Sequence, residues 1–138
     1  MLPTDVTDLL PQKYPFRMVD MLLFADEGRI VTTFLISSKN VLVHEDQFTE
    51  GGMIENMAQS AAAGTGYFFA RQNAAIPIGY IGAVKNVKII KLARTGDEIT
   101  TELLTLNKIG DASIVEGKIF LQKELIGYCE LTIFVQQT

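Results

Sequence analysis

A chain of 138 residues, 48% hydrophobic and 20% charged, is one globular domain in size and excludes a disordered tail protein. Twelve basic against sixteen acidic side chains leave a formal charge of −4, which argues against a nucleic-acid footprint over the whole surface. One cysteine (Cys129) and one histidine (His44) exclude an internal disulfide and a zinc site built from Cys and His, and they fit a reducing compartment.

The N-terminus carries Asp5 and Asp8 as its first charges, with no basic start and no apolar run of signal length. No stretch approaches the ~20 apolar residues that span a bilayer, so the expected address is the cytoplasm. Pro11 and Pro15 bracket an extended, rigid segment. Met18 to Phe24 and the β-branched run Arg29 to Ile36 read as two strands of a hairpin, turned at Asp26-Glu27-Gly28. Met53 to Arg71 has no proline and is rich in Ala, Met, Glu and Gln, which predicts a helix of about four to five turns, apolar on most sides. Gly64 and Gly66 each cost that helix about 1 kcal/mol relative to Ala, so something is expected to pack very close there, and with Ala61 to Ala63 they are expected to let the central helices of two protomers approach.

Strand patterns follow to the end: 77–92, 98–106, 113–122 and 124–136, with turns at Arg94 to Asp97, at Lys108 to Asp111 and near Lys123-Glu124. The short gaps between the last three imply an antiparallel meander. The expected class is α+β, a single domain over residues 1–138 with one long apolar helix against one antiparallel sheet. One flat sheet covers one side of such a helix. The other side then needs a curled sheet or a second chain, which points to a homodimer or a dimer-based oligomer.

Within the helix, Glu55 and Gln59 are polar and four residues apart, hence on one face. An acidic residue in a first helical turn is ordinarily a dipole or capping partner, and it is also where a catalytic carboxylate would stand. The helix start, Gly51-Gly52-Met53, is the expected ligand-binding turn, where the free N–H groups of Gly52 and Met53 would polarise a carbonyl oxygen.

Several longer motifs share one resemblance. The stretch LLPQKYPFRMVD (9–20) is similar to the start of the 3-hydroxyacyl-acyl-carrier-protein dehydratases, and KNVLVHEDQF (39–48) to their strand before the active-site loop. MIENMAQSAA (53–62) resembles the Glu-x-x-x-Gln start of their central helix, and YIGAVKNVKI (80–89) the following strand. Gly96-Asp97 and Gly127 to Phe134 match the later turn and the closing strand, so the resemblance runs through nearly the whole chain in order. It implies the hotdog fold, a long central helix wrapped by an antiparallel β-sheet. It also implies dehydration of a substrate carried by acyl carrier protein.

The departures are specific. The family's His-Phe-Pro loop is replaced by Phe48-Thr49-Glu50-Gly51-Gly52, shorter and without histidine, and the N-terminal histidine by Gln12. The short loop resembles the branch linked to aryl-polyene-type pathways. The family glutamate corresponds to Glu55, the expected acid, with Gln59 orienting it or a water.

Elimination of water from a 3-hydroxyacyl thioester needs a base for C2, an acid for the leaving hydroxyl and a donor for the developing enolate. His44 is the only imidazole, and it is the candidate base, pairing with Glu55 of the other protomer. The competing reading of His44 is a solvent-exposed ring among Glu45 and Asp46. Two other functions stay open on the sequence: an acyl thioesterase on the same fold, or a catalytically silent acyl-binding or scaffold subunit. Lys85, Lys88, Lys91 and Arg94 form a basic stretch, read either as a solvated strand edge or as a docking patch for an acidic carrier protein. The methionines, Phe68-Phe69 and Cys129 are expected to be packing residues.

Overall fold

The computed structural model describes residues 1–136. In chain order the elements are β1 (Thr4–Asp5), β2 (Met21–Ala25), β3 (Arg29–Leu35), β4 (Val43–His44), β5 (Gln47–Phe48), α1 (Glu50–Arg71), β6 (Ile78–Ile89), β7 (Glu98–Ile109), β8 (Ala112–Leu121) and β9 (Glu124–Gln136). Seven strands form one sheet in the order β1-β2-β3-β7-β8-β9-β6, antiparallel throughout, while β4 and β5 make a separate small hairpin. The hairpin β2–β3 and the meander β7–β8–β9 are as the residue patterns imply. Gly96 (φ 93°) and Gly110 (φ 59°) supply the left-handed backbone at the turns before β7 and β8.

The sheet wraps α1 in the expected hotdog arrangement. Met53, Met57 and Ala61 of α1 are buried with Phe34, Ile99, Leu103, Ile119, Ile126 and Leu131 of the sheet and its turns. Two strand glycines make this possible: a Cβ at Gly117 would lie 2.5 Å from Met57 Sδ, and one at Gly127 2.6 Å from Met53 Cε. Each fully buried side chain of this size contributes roughly 1.5–3 kcal/mol of hydrophobic stabilisation. A second cluster, Val6, Leu9, Leu10, Val19 and Leu22 against Ala63 and Tyr67, closes the far part of the helix with the N-terminal segment.

Three expectations are corrected by the structure. The helix starts at Glu50, not Met53, because Thr49 has an extended backbone (φ −70°, ψ 165°) and caps it through its side chain. Gly64 and Gly66 do not make room for a second helix: Gly64 seats Ile30 of β3, and a Cβ at Gly66 would lie 2.7 Å from the Leu9 carbonyl oxygen. The close partners are the same chain's own strand and N-terminal turn. Phe68, expected to be packed, is 48% exposed and meets Phe69 edge-on.

The strand β6 lies at one edge of the sheet. Its first seven residues, Ile78 to Val84, carry no charge and no proline, and Ile78 and Tyr80 are more than half exposed. Exposed edges of this kind are ordinarily blunted by charge, proline or a covering element.

Candidate active site

Glu55 stands in the second turn of α1, and the first-turn acid is Glu50. The dipole and capping role that a first-turn carboxylate ordinarily fills therefore falls to Glu50 and Thr49, not to Glu55. The Glu55 side chain is partly buried, and its Oε2 accepts a hydrogen bond from Gln59 Nε2 at 3.0 Å. Gln59 is 2% exposed and spends its whole carboxamide inside the protein. Its Oε1 accepts from Met18 N at 2.7 Å, and its Nε2 donates to the Phe16 carbonyl at 3.1 Å as well as to Glu55. The amide thus ties the N-terminal segment to the helix and holds Glu55 in place.

Two neighbours reinforce that tie. Asn56 is fully buried, donates to the Met18 carbonyl (2.7 Å) and accepts from Thr101 Oγ1 (2.5 Å). Ser60 shares a hydrogen bond with Thr32 Oγ1 and donates to the Asn56 carbonyl, both at 2.7 Å. Asn56 and Ser60 are absent from the residues nominated on sequence. Their signal was available as polar residues four apart inside an apolar helix, where buried polar groups must find partners.

Glu55, Ala58, Gln59, Ala62 and Thr65 lie along one helix face and form one wall of a cavity of about 580 Å³. The start of β6, the end of β9 and residues 8–12 form the rest. From Glu55 to Thr65 that wall runs about 15 Å along the helix axis. It is a long, mainly apolar groove with Glu55 at one end and the exposed Asp8 at the other.

The nominated binding turn is only partly free. The Gly52 N–H donates to Thr49 Oγ1 at 3.1 Å, and the Met53 N–H to the Thr49 carbonyl at 3.0 Å. Neither is open to a ligand, and the Met53 side chain is in the core. The reason is the earlier helix start, which turns both residues into capped first-turn positions. Gly52 is required for packing instead, since a Cβ there would lie 2.5 Å from the Phe48 ring. The Gly51 N–H has no acceptor among the described residues, and Gly51 falls on the same helix stripe as Glu55 and Gln59.

His44 is not brought to Glu55 within the chain. It ends β4 with its side chain 78% exposed, 3.8 Å from Glu45 Oε1, and it does not line the cavity. In the basic stretch, Lys91 pairs with Glu124 (3.6 Å) and Arg94 with Asp46 (3.5 Å), while Lys85 and Lys88 form no ion pair among the described residues. Cys129 is buried against Met57 Sδ at 3.3 Å, and burial pushes its thiol up to about 11, with the Glu130 charge adding to the shift. No cluster of metal-ligating side chains is present among the described residues. No helix among them is long and apolar enough to cross a membrane.

The fold and this carboxylate-bearing groove define a hotdog protein of the dehydratase class, and comparison with known proteins makes the assignment definite. Residues 4–138 match the ApeP-like family model, described as ApeP dehydratase, and the chain belongs to that family of hydro-lyases. The 3-hydroxyacyl-acyl-carrier-protein dehydratase FabZ of Actinobacillus pleuropneumoniae serotype 5b is 27% identical over 137 residues, covering 92% of this chain and 84% of the relative. Among solved structures, the dehydratase heterocomplex ApeI:P of Xenorhabdus doucetiae superposes with a TM-score of 0.87 at 15% identity, covering 98% of this chain and 93% of that one. A hypothetical thioesterase of Streptococcus pneumoniae with coenzyme A superposes less closely, with a TM-score of 0.67 at 12% identity and 85% of each chain covered.

Proposed function

We propose that the substrate is a 3-hydroxyacyl thioester carried by acyl carrier protein, and that Glu55 is the acid that expels the hydroxyl. The observation that carries this reading is the Glu55 carboxylate, fixed by Gln59, at the end of an apolar groove long enough for an acyl chain. A base takes the proton from C2, and the C–H electron pair becomes the C2–C3 double bond. The C3–O bond breaks, and the hydroxyl leaves with the Glu55 proton as water. In this reading the Gly51 N–H, at the positive end of α1, donates to the thioester oxygen as negative charge builds there.

The base comes from a second subunit. The free β6 edge supports a dimer through that strand, where a second chain would also cover the cavity wall formed by the start of β6. In a homodimer the base is His44, whose exposed ring is available only to another chain. The dehydratase heterocomplex ApeI:P favours a second reading, in which a different hotdog subunit brings the base and this chain brings Glu55. Lys85 and Lys88, the unpaired part of the basic stretch, are the docking charges for an acidic carrier, and the site of action is the cytoplasm.

Mass spectrometry of a 3-hydroxyacyl carrier protein incubated with the purified chain tests the reading. Loss of water, abolished in Glu55→Gln with the fold retained, is the expected result. Loss of the acyl group would instead make the chain a thioesterase, and Glu55→Gln activity within a few-fold of wild type would return Glu55 to a structural role. Loss of activity in His44→Asn supports the homodimer. An intact rate in that variant removes His44 as the base, and water loss only when a second hotdog chain is added supports the mixed dimer.

A further inference from the structure

The two ends of the groove differ in charge. Near the helix start, Gly127 of β9 meets Met53 of α1, and Gly127 stands opposite Ile89 of β6. Lys85 and Lys88, just before Ile89 on the same strand, therefore belong to the Glu55 end. At the other end Leu9 meets Gly66, and the exposed Asp8 lines the cavity. A thioester on a carrier's phosphorylated arm brings negative charge with it. The lysines attract that charge and Asp8 repels it, so the arm enters at the Glu55 end and the alkyl tail points toward Asp8.

Helix geometry fixes what the tail passes. Ala62 follows Glu55 by seven residues, nearly two full turns, so the two side chains leave α1 within about 20° of each other. The rise between them is about 10 Å. A saturated chain advances about 1.25 Å per carbon, given C–C bonds near 1.5 Å and angles near 111°. With C3 beside Glu55, Ala62 is level with a carbon about eight further on, near the eleventh of the acyl chain. Ile78, Ile133 and Val135 line the same cavity with aliphatic surface. Ala62 is exposed in the single chain and fills no core position, so its small size leaves the groove open rather than serving the packing of the sheet.

We infer that Ala62 is a specificity-determining residue, whose single methyl group lets the acyl tail run past its eleventh carbon toward Thr65. This rests on the functional reading above and deepens it, naming the substrate as a medium- to long-chain 3-hydroxyacyl thioester. Ala62 takes no part in the chemistry at C2 and C3. It sets how much chain the groove accepts behind them.

The test compares kcat/KM for carrier-bound 3-hydroxybutanoyl, 3-hydroxyoctanoyl and 3-hydroxydodecanoyl chains, in whichever assembly, homodimer or mixed, loses water in the assay above. Wild type is expected to use the dodecanoyl chain at least as well as the butanoyl one. Ala62→Leu keeps a good helix former at an exposed position and raises a side chain across the groove. It should lower the dodecanoyl-to-butanoyl ratio at least tenfold and leave the octanoyl-to-butanoyl ratio within about twofold, because a single methylene in an apolar pocket already carries tenfold discrimination. Should Ala62→Leu unfold by circular dichroism, Ala62→Met is judged by the same ratios. Unchanged ratios overturn the inference, and so does an equal fall at every length, which places the carrier arm or a second subunit against Ala62. A wild-type protein that already rejects the dodecanoyl chain overturns it too. In each of these cases water loss from the butanoyl chain leaves the dehydratase reading standing. No water loss from any chain in either assembly overturns that reading and this inference together.

Discussion

Replacing Gln59 with Met keeps the length and approximate volume of a 2% exposed side chain while deleting three hydrogen bonds. No void opens, so the cost is that of stranded partners. The Met18 N–H is buried and loses its acceptor, worth about 1–3 kcal/mol, and the part-buried Phe16 carbonyl adds about 1 kcal/mol. The sum, roughly 2–4 kcal/mol, is a large fraction of a domain's total stability. At about 3–5 °C per kcal/mol for a chain of this length, thermal denaturation followed by circular dichroism should show a Tm lower by roughly 6–20 °C. Glu55 also loses its orienting donor, so kcat should fall more than KM rises, because an acid held out of line weakens the transition state rather than the bound substrate. A loss of less than about 1 kcal/mol would show that residues 16–18 are held by something else. An unchanged kcat would refute the claim that Gln59 positions Glu55.

Two further expectations concern packing and titration. Gly66→Ala gains about 1 kcal/mol of helix propensity but drives a methyl group onto the Leu9 carbonyl oxygen, a backbone atom, and overpacking of about 1–3 kcal/mol should win. Gly127→Ala clashes only with the flexible end of Met53, so urea unfolding should rank Gly66→Ala as the more destabilised, and the reverse order would contradict the packing described. The Cys129 thiol, pushed up to about 11, binds its proton more tightly folded than unfolded. Its contribution to stability is full below the unfolded thiol value near ~8.5 and is lost as pH rises toward the folded value. Cys129→Ala should therefore lose less stability than wild type between those limits, and parallel pH profiles would refute this.

The order of elements was legible from local pattern because each has a period or a stop of its own. The β-branched run of β3, the glycine turns before β7 and β8 and the proline-free stretch of α1 are properties of consecutive residues. So is the Glu55–Gln59 contact, since residues four apart on a helix must be neighbours. The family resemblance was legible for the same reason, as short motifs in a fixed order.

What the tertiary structure alone decided depends on partners far away in the chain. Thr49 as cap moved the helix start to Glu50, spent the Gly52 and Met53 N–H groups and freed Glu55 from the first turn. Gly64 and Gly66 announced a close approach, yet whether a second chain or Ile30 and Leu9 made it depends on the path of β3 and the N-terminal segment. Gln59 reaches residues 41 and 43 positions earlier, and Asn56 reaches Thr101, 45 positions later. A side chain's type states how many hydrogen bonds it must make. Only the packed chain states with whom, and that is why His44 stands in solvent while Gln12 lines the groove.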